Sequence, residues 1–228
     1  MKPLILLHGA IGTKDQLVPL ADALKTDYDI HTLSFSGHGG EVYPTNGFSI
    51  ASFAVDVLRY MDAHNIGQAD IFGYSMGGYV AMYVAKHYAD RVGKIVTLAT
   101  KFHWDEPTAT KETAMLDADK IEAKLPAFAA TLANRHNPND WKEVLHRTAT
   151  MLHNMGLDNP LKIEDYATIQ HPSLVLLGDR DKMITLEETL AVYKTLPNAQ
   201  MGMLPSTPHP IEQVDVPMLG WMIKRFIA

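Results

Sequence analysis

Residues 69–80 read Ala-Asp-Ile-Phe-Gly-Tyr-Ser-Met-Gly-Gly-Tyr-Val, and they constrain the fold more than any other stretch. The run closing at Phe72 has the character of a buried strand end, and a helix is expected from Met76. Between them, Gly73-Tyr74-Ser75-Met76-Gly77 fits G-x-S-x-G. A strand that turns at once into a helix strains the residue at the bend. The chain there passes so close to itself that side chains two positions to either side would clash, which calls for glycine. The bend lifts Ser75 Oγ clear of the sheet, beside a helix N-terminus whose free N–H groups favour negative charge. A nucleophile suits that place. Five residues leave an incidental serine on a glycine-rich turn equally open, so the remaining chain must decide.

The strand–helix rhythm around this bend repeats. Leu4–Leu7 is a continuous apolar run stopped by His8-Gly9, as suits a strand buried on both faces. Residues 15–25 carry apolar side chains at helical spacing. Residues 29–35 form a second strand that ends at Ser36-Gly37-His38-Gly39-Gly40. Residues 49–64 are the clearest amphipathic helix, with Ile50, Phe53, Ala54, Val57, Leu58 and Met61 on one face and Ser49 or Ser52 as cap. The strand at 69–74, a helix over 76–90 and a strand over 93–100 follow. This alternation predicts an α/β fold built on a parallel sheet.

The rhythm breaks at Lys101. Helical patterns over 110–124, 126–136, 139–155 and 161–167 are separated by Pro107, Pro126, Pro138 and Pro160. Residues 101–170 are read as a helical insertion lying over the sheet, within a single domain whose core is 1–100 and 171–228. The rhythm resumes with a strand at 173–177, a helix over 185–195, a last strand at 199–204 and a closing helix over 211–227.

Bulk properties narrow the function. The 228 residues suffice for one sizeable core, and the net charge of −6 with no Lys/Arg cluster speaks against a nucleic-acid partner. Cysteine is absent, which excludes disulfides, cysteine zinc sites and a cysteine nucleophile. The apolar N-terminal run is too short for a signal peptide, and no stretch approaches the roughly 20 apolar residues of a membrane helix. A soluble, cytoplasmic protein is the expectation, as a monomer or small homo-oligomer.

In open α/β sheets, ligands bind at the carboxyl ends of the strands. There the chain places His8-Gly9-Ala10-Ile11-Gly12, then Ser75, then Asp181, then His209. A serine needs a base within hydrogen-bond reach, and the base needs an acid to fix its tautomer. With His8-Gly9, Ser36-Gly37-His38-Gly39, Gly73-Tyr74-Ser75-Met76-Gly77-Gly78, Gly178-x-x-Asp181 and His209, nearly the whole chain resembles the α/β-hydrolase superfamily. The resemblance implies an α/β-hydrolase fold of about six mostly parallel strands, with helices on both faces and a small helical cap. It implies Ser75 as nucleophile, His209 as base, Asp181 as orienting acid, and the backbone N–H groups of Ala10 and Met76 as oxyanion hole. Asp179 and Asp105 are rivals for the acid. Ser36 replaces the family's usual proline, and prolines flank His209.

A serine hydrolase of a small or medium ester, thioester or lactone is the leading expectation, with no cofactor and no metal. Ile11, His103, Trp104 and Met183 are candidate pocket residues. Met115, Met151 and Met155 are candidates for an adaptable apolar wall. His8 and His38 are read as loop supports, and His31, His64, His87, His136, His146, His153 and His171 show no ligand spacing. The same motifs also resemble a lyase of menaquinone synthesis, carbon–carbon-bond hydrolases and ligand-binding receptors of this fold. The lyase usually has arginine where this chain has Tyr79.

Overall fold

A computed structural model describes residues Met1–Ala228. Six strands form one sheet: β1 (Pro3–Leu7), β2 (Asp29–Leu33), β3 (Ala69–Tyr74), β4 (Val92–Leu98), β5 (Ser173–Gly178) and β6 (Ala199–Leu204). Every pairing is parallel, in the order β2-β1-β3-β4-β5-β6. The order reverses between β1 and β3. Loops leaving those two strands therefore diverge to opposite sides and leave a crevice at their carboxyl ends.

Strand periodicity divides the core into two layers. Ile5, Leu7, Ile71, Ile95 and Val175 pack beneath α2 (Ile50–Ala63) and α3 (Met76–His87). Leu4, Leu6, Phe72, Val96 and Leu176 face α1 (Val18–Leu24) and α9 (Val216–Ile227). Each large side chain removed from water contributes about 1.5–3 kcal/mol, so runs apolar at every position suit strands covered on both sides. Ser49 caps α2 by accepting from Ser52 N.

Residues 101–170 contain no strand. They hold α4 (Glu106–Thr113), α5 (Ala118–Lys124), α6 (Pro126–His136), α7 (Trp141–Leu157) and a 3-10 turn at Ile163–Thr168. The expected helix over 110–124 is instead two. Asp105 caps α4 by accepting from Thr108 N, which starts it before Pro107, and Asp117 starts α5 by accepting from Lys120 N. The closing helix is likewise split. A 3-10 turn at Ile211–Gln213 precedes α9, which Asp215 begins by accepting from Met218 N. Acidic N-caps restart helices where apolar spacing alone runs on. A small cluster of Ile121, Ala129, Leu132, Trp141 and Leu145 holds α5, α6 and α7 together, while Val144, Met151, Leu152 and Met155 of α7 join the layer under α2 and α3. The last helix between strands is α8 (Leu186–Thr195), and no helix is long and apolar enough to cross a membrane.

Candidate active site

Ser75 occupies the bend between β3 and α3 with φ +52° and ψ −118°, a left-handed conformation that favours glycine. The surrounding glycines let the bend form. A Cβ on Gly77 would lie 2.5 Å from Leu7 O and 2.6 Å from His8 O, and one on Gly73 would collide with the backbone of Gly77 and Gly78. These obstacles are main chain, so they cannot rotate away. Ser75 N donates to Leu98 O at 2.8 Å and ties the bend to the end of β4.

The loop after β5 carries Asp181, and the loop after β6 carries His209. Asp181 Oδ1 accepts from Met183 N at 2.8 Å and Ile184 N at 2.9 Å, and Oδ2 lies 2.8 Å from His209 Nδ1. His209 Nε2 lies 3.3 Å from Ser75 Oγ. The carboxylate is therefore oriented by backbone and turns its second oxygen to the imidazole. That fixes the tautomer with the proton on Nδ1, leaving the Nε2 lone pair toward the hydroxyl. Burial pushes the Asp181 carboxyl up, but hydrogen bonds from His209, Ile184 N and Met183 N outweigh it and hold the group below its ordinary value.

The histidine loop is pinned to its neighbours. Tyr74 OH donates to His209 O at 2.9 Å, Thr207 N donates to Asp179 Oδ1 at 3.2 Å, and Arg180 N donates to Thr207 O at 3.1 Å. Asp179 thus supports the loop backbone and does not meet the imidazole. Asp105 caps α4 and lies 3.1 Å from His103 Nε2. Of the three acids, only Asp181 reaches His209.

The loop that carries Ala10 and Ile11 follows β1 at the crevice. Gly12 N donates to Gly9 O at 3.1 Å and closes a turn over Ala10 and Ile11. Ala10 N is free of any backbone acceptor, and Met76, first in α3, has no intrahelical acceptor for its N–H. His8 is fully buried beneath. Its Nε2 accepts from Phe35 N at 3.1 Å, so Nδ1 donates to Gly9 O at 2.7 Å. In the following loop, Ser36 N and Oγ donate to Asp56 at 2.8 and 2.6 Å. A proline there would lack that N–H.

Ile11 is expected at the pocket; Arg135 and His136, which no spacing marks, join it there. Ile11 has φ +51°, an outlier for a β-branched side chain that typically costs about 1–3 kcal/mol. Its carbonyl accepts from Arg135 Nη1 and from His136 Nε2, each at 3.1 Å. His136 Nδ1 accepts in turn from Gly39 N at 3.1 Å. A buried histidine at the end of α6 has no local pattern to mark it.

Burial lowers the pKa of His8 to about 3 and of His136 to about 4, and burial also drives His38 well below its ordinary value. The unfolded chain protonates these groups from about pH 6.5 downward, while the folded chain does not until its lower pKa. Stability conferred by the neutral forms is thus complete above pH 6.5 and is lost as pH falls toward 4 and 3. His8 and His136 together are expected to remove about 3 kcal/mol of unfolding free energy between pH 7.5 and 5.5. Urea unfolding at several pH values measures this, and a flat profile would contradict the buried neutral assignment.

A cavity of about 370 Å³ opens over Ser75 and His209 and is walled mostly by apolar side chains. Ala10, Met76, Ile11, Trp104 and Met183 line it, as do Met115, Met155 and Phe128 from the insertion. His103 does not line it. It is exposed and held to Asp105, because the chain turns outward after β4 to begin α4. Met151 does not line it either and is buried in the core. Tyr79 reaches the wall from α3, and its hydroxyl donates to Asn159 Oδ1 and accepts from Leu161 N at 2.9 Å. No three His, Asp or Glu side chains converge to hold a metal ion.

A family model described as alpha/beta hydrolase fold matches residues 2–150. A putative non-heme chloroperoxidase of Synechocystis sp. is 23% identical over 254 residues, spanning 99% of this chain and 91% of the relative. The poly(3-hydroxyalkanoate) depolymerase of Ectopseudomonas oleovorans is 24% identical over 221 residues, spanning 90% and 77%. Among solved structures, the enol-lactonase from Burkholderia xenovorans LB400 superposes with a TM-score of 0.77 at 21% identity, covering 99% of this chain and 91% of that one. At that identity the likeness is one of fold.

Proposed function

The chain belongs to the alpha/beta hydrolase family, and from that premise we propose that it is a serine hydrolase of a small or medium carboxylic ester, thioester or lactone. One observation carries the reading: the continuous chain from Asp181 Oδ2 through His209 to Ser75 Oγ, with steps of 2.8 and 3.3 Å, at a strained bend that opens into a cavity. Ser75 Oγ attacks the carbonyl carbon as His209 Nε2 takes its proton. The imidazolium is stabilised by Asp181. The negative oxygen is held by the Ala10 and Met76 N–H groups. Collapse of this intermediate expels the alcohol or thiol, which takes the proton from His209, and leaves an acyl-enzyme on Ser75. With a lactone the leaving hydroxyl stays on the acyl group. A water deprotonated by His209 then releases the acid.

The cavity volume suits a small or medium acyl group, and its apolar wall suits a hydrocarbon one. The insertion acts as a cap that sets this wall through Met115, Met155 and Phe128. Tyr79 weighs against the lyase reading. Its hydroxyl is engaged with Asn159 and Leu161, so at that position there is a neutral, occupied group in place of a cation. A fluorophosphonate probe tests the proposal. One covalent adduct on the peptide containing Ser75, competed by an ester substrate, is the expected result. An unlabelled protein, or an adduct on another residue, would overturn it.

A further inference from the structure

The turn Gly9–Gly12 puts Ile11 at its third position with φ +51°, where glycine or asparagine is usual. Such a turn relaxes unless its surroundings hold it. The turn is closed locally by Gly12 N on Gly9 O, but the groups that hold the Ile11 carbonyl and pack on its side chain come from the insertion. Its carbonyl accepts from both Arg135 Nη1 and His136 Nε2 at 3.1 Å, which fills both lone pairs. Its side chain packs on the small apolar cluster of α5, α6 and α7. His136 is fully buried and reaches a second loop by accepting from Gly39 N. Arg135 is steadied by Glu212, 3.4 Å away, which itself accepts from Gln16 Nε2 at 2.6 Å.

We infer that Arg135 and His136 are positioning residues for the oxyanion hole: the C-terminal turn of α6 clamps the Ile11 carbonyl and so holds the neighbouring Ala10 N–H aimed at the cavity. The insertion then has two tasks. It walls the cavity, and it completes a catalytic element that β1 begins. Arg135 also lines the cavity, but neither residue hydrogen-bonds Ser75, Asp181 or His209. The catalytic consequence rests on the hydrolase reading above, whereas the clamp itself does not.

The clamp and its consequence are read separately, in Arg135→Met, His136→Leu and the conservative His136→Gln, whose amide can both donate to Ile11 O and accept from Gly39 N. Hydrogen–deuterium exchange over residues 8–14 reports the loop without any need for turnover. Kinetics on a nitrophenyl ester and its thionoester report the hole, because sulfur is a weaker acceptor and gains less from the N–H groups. In Arg135→Met and His136→Leu, faster exchange of the loop is expected, with kcat on the ester lowered about 10- to 100-fold and KM changed little. The thionoester should lose less, so the oxo/thiono rate ratio falls. His136→Gln should recover most of the rate. A thermal midpoint near that of the wild type separates positioning from global loss of fold, and for a variant that does not fold the remaining two decide.

Unchanged exchange over 8–14 would overturn the clamp. Faster exchange with unchanged kcat, or equal losses on both esters, would overturn the positioning role. A wild-type protein that neither labels at Ser75 nor turns over esters would sink the hydrolase reading, while the exchange arm would still decide the clamp.

Discussion

Ser75→Ala is expected to lower ester turnover by about 10⁴- to 10⁶-fold and to remove fluorophosphonate labelling. The size of the effect follows from what the hydroxyl does in the structure. Its side chain has one hydrogen-bond partner, His209 Nε2, and it caps no helix. Removing it therefore leaves the bend intact, with Ser75 N still held by Leu98 O, and deletes only the hydroxyl proposed as nucleophile. The backbone at φ +52° is no more strained for alanine than for serine. A thermal midpoint close to that of the wild type should accompany the loss. Residual activity would report the oxyanion hole acting on a water-borne attack. Substantial turnover in Ser75→Ala would remove the acyl-enzyme from the mechanism.

Asp181→Asn is the second large effect, at about 10³- to 10⁴-fold in kcat. Asparagine is nearly isosteric, and its carbonyl oxygen can still accept from Met183 N and Ile184 N, which now use Oδ1. Its amide would then face His209 Nδ1 as a donor facing a donor. The imidazole escapes that clash by moving its proton to Nε2, which points a hydrogen at Ser75 Oγ and removes the base. Asp179→Asn and Asp105→Asn are the controls. Asparagine still accepts from Thr207 N at the first position and still caps α4 at the second, so both should stay within about threefold of the wild type. Steady-state kinetics on one ester decide among the three. If Asp181→Asn is as active as the controls, the orienting acid lies elsewhere.

The legible part of this chain is the part written in short-range patterns. The apolar runs of β1, β3 and β5, the one-sided face of α2 and the glycines around Ser75 each express a constraint within a few residues: burial on both faces, burial on one stripe, or a backbone too close for a Cβ. Those constraints gave the order of strands and helices and placed a serine, an acid and a histidine on one rim. Errors of extent came where a polar side chain overrode apolar spacing. Asp117 restarts a helix inside 110–124, and Asp215 does the same inside 211–227.

The pairings across the rim were not legible, because no local period encodes them. His103 reads as a rim residue by its position after β4, yet it turns out to solvent against Asp105. Met151 and Met155 both join the core layer, but only Met155 also reaches the cavity. His136 has no spacing that marks it, yet it stands 125 positions from Ile11 in the chain and hydrogen-bonds its carbonyl. By itself the sequence determined the parallel α/β framework and the bend that presents Ser75, since strand burial and steric clearance are properties of neighbouring residues. Only the tertiary structure decided which of three acids meets His209 and which side chains meet the Ile11 carbonyl, since both depend on where the ends of distant elements come to rest.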